Sequence, residues 1–385
     1  MRIDLYIPVF NAAAVLGEVL AAAGSQTRPA ERVIVIDDGS TDGSGEIARQ
    51  AGAEVITHRE NLGLAAARNS ALTASDADIL AGIDADVALS PDYLATVERA
   101  FTDGDLAAVC GNLRERYTNT LADKWRSIHM AQHYGENDID NPRILYGSTT
   151  TVRLDILRKL GGWNVNYQRN GEDVDLTMRL KEKGYRTRYL AAAKAEHLRR
   201  DTFATVLDSF RNWFLPAGEQ RGDFINLQNA ARRIEAVNMG IFRYRLQEDI
   251  NNKRRDMLLI TCLLPLWMTL RDIEYLEKTG VITHDEAVNY SREVSGVFHE
   301  LSCLSPGAAD HLFARSFRLY PGITSDYCCE SLSDFGTAFR DSYSAILDDD
   351  VKDSVCSSLR TLVGISSVGK DINSAYTAPS AEHVI

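Results

Sequence analysis

The chain has 385 residues, enough for two domains or for one large domain with an appendage. Apolar residues make up 45% and charged residues 25%, ordinary for a soluble globular protein, and the net charge of −12 gives no reason to expect nucleic-acid binding. The six cysteines show no metal-ligand or redox spacing, which suits reduced thiols in a cytosolic protein.

Met1-Arg2 runs straight into a strand-like segment with charged Asp4, so no signal peptide is expected. Ile3–Val9 reads as a buried strand and Ala12–Ala23 as a helix. Arg32–Ile36 is a second strand, followed by the turn-rich loop Asp37-Asp38-Gly39-Ser40-Thr41-Asp42 and a helix near Gly45–Ala51. Glu54–Thr57 is a third strand, Asn61–Thr73 a helix, Ile79–Ile83 a fourth strand, Pro91–Phe101 a helix and Leu106–Cys110 a fifth strand. Alternation of this kind predicts an α/β fold with a mostly parallel sheet covered by helices on both faces. In such sheets ligands bind beyond the carboxyl ends of the strands. Pro8-Val9-Phe10-Asn11, Asp37-Asp38-Gly39-Ser40 and Asp84-Ala85-Asp86 all fall there. Each alone has a bland reading, since Asp-Asp-Gly-Ser is common turn chemistry and Asp-x-Asp is frequent in solvated loops. Asp84 and Asp86 nevertheless end an apolar run, and carboxylates there need a cation, an arginine or water.

In order and placement, these features resemble the family 2 glycosyltransferases, inverting enzymes of the GT-A fold. The resemblance spans about residues 2–213. It is carried by Ile7-Pro8-Val9-Phe10-Asn11, Val35–Asp42, Asn61-Leu62-Gly63 with Ala67-Arg68-Asn69, and Asp84-Ala85-Asp86. It continues through Leu160-Gly161-Gly162-Trp163, Gly171–Leu176 and Lys183-Gly184-Tyr185. It implies transfer of a sugar from a nucleoside diphosphate sugar, most simply a UDP-sugar, to an acceptor hydroxyl.

The resemblance also implies roles. Asp38 would accept hydrogen bonds from the base, with Pro8, Phe10 and Asn11 at the same nucleoside. Arg68 would reach the base or the phosphates, or else be a helix-surface arginine. Asp86 would ligate Mg²⁺ or Mn²⁺, with Asp84 at the ribose or acting through water. A hard cation prefers oxygen ligands and keeps waters and phosphates. His197 matches a further metal ligand, with a metal-free histidine as the alternative. Asp173 would be the general base, beside Glu172, although acids at a helix start are also favoured by the exposed N–H groups and the dipole. That helix should run to about Lys183 and stop at Gly184. Trp163 and Tyr167 would face donor or acceptor, or pack in the core. Arg114–Pro142 should help form the acceptor side. Arg199 and Arg200 are candidates for phosphate contact.

From about Asp223 the pattern is helical, giving domains at 1–215 and 216–363 and a flexible tail at 364–385. Met257–Leu270, a run of 14 residues with Pro265 inside, is short of the ~20 a spanning helix needs. It reads as a buried helix, with membrane-surface contact as the minor alternative. Thr283-His284-Asp285-Glu286 is a capping box. Its helix carries apolar residues to Leu301, and a second stripe runs from Leu332 to Leu347. These stripes suit bundle core, homo-oligomer contact or acceptor recognition, and Asp348–Asp350 a solvated helix end. With no multi-span part and no Gln-x-x-Arg-Trp motif, single-sugar transfer is expected. The acceptor would be a glycan, a lipid-linked saccharide or a protein, with the enzyme cytoplasmic or peripheral at the inner membrane face. Two competing classes are a sugar nucleotidyltransferase, whose lysine-containing activation loop is absent from Pro8–Leu20, and a non-catalytic nucleotide-sugar-binding scaffold.

Overall fold

The computed structural model describes residues 1–291 apart from 168–169, 234–236 and 238. The stripe beyond Ser291, the one at Leu332–Leu347, Asp348–Asp350 and the tail from 364 lie outside the described residues. The chain divides into two compact units: Met1–Thr118 with Arg126–Arg200, and Asn119–Trp125 with Asp201–Ile385.

The first unit runs β1 (Ile3–Val9), α1 (Ala13–Gly24), β2 (Arg32–Asp37), α2 (Ser44–Gln50), β3 (Glu54–Thr57) and α3 (Leu64–Ala74). It continues with β4 (Ile79–Gly82), β5 (Val87–Leu89), α4 (Tyr93–Ala100) and β6 (Leu106–Glu115). After α5 (Leu121–His129), whose first turns belong to the second unit, come β7 (Ile139–Asp140), a 3-10 turn (Gly147–Thr149) and β8 (Thr150–Arg153). Then follow α6 (Leu154–Lys159), α7 (Glu172–Glu182) and β9 (Arg186–His197).

The strand order is β3-β2-β1-β4-β8-β6-β9-β5, with β7 paired to β9. The expected alternation produces the parallel block β3-β2-β1-β4. Beyond it the sheet is mixed, because β8 enters antiparallel between β4 and β6, and β5 and β7 run antiparallel to β9. Side-chain alternation along β1 serves two cores. Leu5, Ile7 and Val9 pack with Leu16 and Val19 of α1 and Leu94 and Val97 of α4. Tyr6 packs on the other face with Ala67 and Ala71 of α3, Leu157 of α6, and Leu176 and Leu180 of α7. A strand buried on both faces accounts for the unbroken apolar runs of β1, β2 and β4.

The second unit contains α8 (Phe203–Arg221), α9 (Leu227–Arg233), α10 (Met239–Asn251), α11 (Leu258–Lys278) and a further helix from residue 284. The division at 200/201 differs from the expected 215 because α8 is one continuous helix through Leu215 and Pro216. Its start is capped by Thr202, whose hydroxyl accepts from Thr205 N–H at 3.3 Å. The apolar run at Met257–Leu270 forms most of α11, with Leu263, Leu264 and Trp267 fully buried. Among the described residues no helix is long and apolar enough to cross a membrane. Arg211 and Arg233 both bind the buried Asp272, at 2.8 and 3.2 Å. At Thr283 the expected capping box is present: Thr283 N–H donates to Glu286 Oε2 at 2.8 Å, and Glu286 N–H donates to Thr283 Oγ1 at 3.3 Å.

Candidate active site

The loops leaving β1 and β2 are stitched together. Asn11, at φ +51°, donates its N–H to Ser40 Oγ at 3.0 Å and accepts from Thr41 N–H on its side-chain oxygen at 2.8 Å. A short amide side chain tolerates this left-handed backbone. Asn11 therefore shapes the loop. Pro8 is buried in β1, whereas Phe10 stands 50% exposed beside these strand ends. Asp38 is only 3% exposed, and its carboxylate accepts from Leu62 N–H and Gly63 N–H, each at 2.9 Å. His58 Nδ1 lies 2.6 Å from the same carboxylate. Three internal donors use three of about four acceptor sites on a carboxylate. Asp38 thus holds the turn before α3.

Arg68 is not a surface residue. It lies 2% exposed in α3, with Nη1 2.5 Å from Glu172 Oε1 and Nη2 3.1 Å from both Asp84 Oδ1 and the Gly147 carbonyl. Burial opposes its charge, but Glu172, Asp84 and their neighbours raise its pKa further, so it stays a cation. Glu172 is raised by burial, against the pull of Arg68. Asp84 is also raised, by desolvation and by the nearby Asp86. The strand-end aspartate and the first residue of α7 therefore share one buried guanidinium.

Asp173, next on α7, is half-buried. Its Oδ2 accepts from Gly147 N–H at 3.0 Å, and its Oδ1 accepts from Val174 N–H at 2.8 Å. A Cβ on Gly147 would stand 2.9 Å from Arg68 Nη1 and 3.1 Å from Asp173 Cβ, so glycine is what lets α7 approach this closely. Asp175, in the first turn of α7, pairs with Arg179 at 2.6 Å. The helix ends as expected, with Gly184 at φ +73°.

Asp86 meets His197 across the sheet. Strand β5 lies antiparallel to the end of β9, with Val87 opposite His197, and Leu198 N–H donates to the Asp86 carbonyl at 2.8 Å. His197 Nε2 is 3.1 Å from Asp86 Oδ2, and its Nδ1 is 3.0 Å from Glu115 Oε1. Burial disfavours the charged ring, yet Asp86 and then Glu115 push His197 up to about 10. Burial works against Asp86 as well, but His197, with help from Arg199, holds it below its ordinary value.

These residues fit a divalent cation in part. Asp86, 32% exposed, and His197 Nε2 offer one oxygen and one nitrogen ligand on an accessible side. Among the described residues no group of three or more ligating side chains forms a complete cage. Two protein ligands suit a cation that takes the remainder of its shell from water and phosphate oxygens.

Trp163 lies apart from this cluster's surface. It is 3% exposed and packs edge-on against Tyr6, with ring centres 5.7 Å apart. Asn69 clamps its backbone through two hydrogen bonds of 2.8 Å. Its placement follows the core reading. Arg200 is exposed, with its guanidinium stacked 3.7 Å from the centre of the Tyr117 ring. The structure thus brings Asp84, Glu172 and Asp173 together through Arg68 and the Gly147 turn, while Asp86, two residues after Asp84, pairs with His197. Glu115 and His58 take part in this arrangement without any sequence signal pointing to them. Glu115 and His58 sit in no motif, and Gly147 was visible only as the first residue of a polar run.

Residues 4–161 match the model of glycosyl transferase family 2. The match stops short of Glu172, Asp173 and His197. A glycosyltransferase of Haloferax volcanii, AglE, is 31% identical over 192 residues, covering 48% of this chain and 62% of that protein. The pre-mycofactocin glycosyltransferase of Mycobacterium tuberculosis is 29% identical over 205 residues, covering 51% of this chain and 42% of that one. The chain therefore spans less than two thirds of these relatives. Among solved structures, a mannosyltransferase of Pyrobaculum calidifontis has 18% identity and a TM-score of 0.44, over 91% of this chain and 88% of that one. That likeness is too loose to carry an argument. Over its residues 4–161, the chain is thus similar to glycosyl transferase family 2.

Proposed function

We propose that this chain transfers a single sugar from a nucleoside diphosphate sugar to an acceptor hydroxyl, with inversion at the transferred carbon. The observation that carries the reading is the Arg68 bridge between Asp84, on the donor side, and Glu172, beside the proposed base Asp173. It joins, in one unit, the carboxylate pair at a strand end to a second acidic site at a helix start.

On this reading Phe10 offers an apolar face to the base, and Asp38 a carboxylate acceptor. Uridine is the first nucleoside to try. Asp86 Oδ2 and His197 Nε2 would hold Mn²⁺ or Mg²⁺, which when bound stabilises charge on the departing diphosphate. Asp173 receives the acceptor proton. Its two backbone hydrogen bonds fix the orientation of the carboxylate. Proton transfer that follows departure of the leaving group tolerates a weak base. Arg200, exposed on Tyr117, is free to turn toward phosphate when a donor binds.

The test is Asp173→Asn, assayed for turnover and for nucleotide binding by calorimetry. Turnover should fall by about 10²–10⁴, the usual worth of general-base assistance, while nucleotide affinity stays within about twofold of wild type. Loss of both together would make Asp173 structural and sink its assignment as base.

A further inference from the structure

Glu115 ends β6, and the parallel register sets it opposite His197, the last residue of β9. The backbone locks this pairing, since Arg116 N–H donates to the His197 carbonyl at 3.1 Å. The Glu115 side chain is 6% exposed, and its Oε1 lies 3.0 Å from His197 Nδ1. Its Oε2 makes no hydrogen bond among the described residues. Asp86 is at the other ring nitrogen, 3.1 Å from Nε2. The two carboxylates thus hold opposite edges of one imidazole, and the Asp86 edge is the accessible one: Asp86 is 32% exposed. A buried carboxylate with one polar partner is costly, and it persists where that contact is needed.

We infer that Glu115 is a positioning residue for the cation site. It accepts the Nδ1–H of His197 and so fixes the ring tautomer whose Nε2 lone pair faces the cation beside Asp86. Glu115 is not a ligand itself, because it lies on the far nitrogen. Without it the ring can take the other tautomer, which presents an N–H, or turn over, which presents a C–H, where a lone pair is required. Metal-ligating histidines are commonly oriented by such an outer carboxylate. The inference rests on the metal reading of Asp86 and His197 given above.

The experiment titrates Mn²⁺ alone into the full chain. Free ion is followed by electron paramagnetic resonance, and imidazole ligation by the ¹⁴N modulation of the electron spin echo. Glu115→Leu should weaken Mn²⁺ binding about 10–100-fold, the usual cost of losing an outer-shell partner, and should remove the ¹⁴N modulation. Glu115→Gln, whose amide oxygen still accepts from Nδ1, should recover both. If Glu115→Leu does not fold, Glu115→Asp, with its carboxylate withdrawn by one methylene, makes the same comparison and should bind Mn²⁺ more weakly. Asp86→Ala should lose Mn²⁺ binding. Wild-type affinity and modulation in both Glu115→Leu and Glu115→Asp, alongside loss in Asp86→Ala, would overturn this inference alone. Glu115→Gln binding as poorly as Glu115→Leu would also overturn it, since charge and not orientation would then matter. A wild-type chain that binds no Mn²⁺, or an Asp86→Ala that binds as wild type does, removes the metal reading and this inference with it.

Discussion

Arg68 shows what a single side chain decides here. A guanidinium 2% exposed, bound to Glu172 and Asp84, is held by its partners, and they by it. Removing one member of a buried pair leaves an uncompensated charge and costs about 3–5 kcal/mol. Arg68→Met should lower stability by about that amount in urea unfolding, and adding Glu172→Gln should return part of it. An unchanged urea midpoint in Arg68→Met would mean the bridge contributes nothing. Phe10 makes the opposite case. It is half exposed and carries little of the core, so Phe10→Ala should leave the unfolding midpoint unchanged. It should weaken nucleotide binding by about 1–3 kcal/mol, the worth of a base stacked on an aromatic ring; equal affinities would remove Phe10 from the site. Asp84 and Asp86 could be picked out of the sequence by type and spacing, and His197 only through the resemblance to a known family. The burial of Arg68 could not, because Ala-Arg-Asn inside a helix reads the same on either face. Glu115 was invisible for a related reason, since only the β6–β9 register makes it a neighbour of His197.

At the scale of elements, the approach of α7 to the strand ends turns on Gly147. A methyl group there meets Arg68 at 2.9 Å and Asp173 at 3.1 Å. Overpacking of this kind typically costs about 1–3 kcal/mol. Gly147→Ala should lose stability in that range and lose turnover more than nucleotide affinity, because the start of α7 must shift while β1 and β2 need not. Equal losses in both would place the damage in the sheet. The alternation from β1 to α4 was legible because doubly buried strands and their helices have strong, repeated patterns. Strand β5 was not, since three residues, Val87-Ala88-Leu89, give no periodicity and are made a strand by pairing with distant β9. The antiparallel entry of β8 escaped for the same reason. Its four residues follow a polar turn, and their direction is set by β4 and β6.

At the scale of the whole molecule, the motifs lie in the first unit, and the main segment of the second unit starts at Asp201, one residue before the cap of α8. The helical half announced its helices but not their purpose, because amphipathic stripes and buried ion pairs such as Arg211–Asp272 serve any bundle. We propose that Asp86 and His197 hold a cation against a nucleoside diphosphate leaving group. This is tested most directly by nucleotide release from a panel of UDP-, GDP- and dTDP-sugars in Mn²⁺, comparing wild type with Asp86→Ala. The wild-type chain should release nucleotide above background from at least one donor, and that release should be lost on chelation of the metal and in Asp86→Ala. Release that persists in Asp86→Ala, or that ignores the chelator, would contradict the proposal.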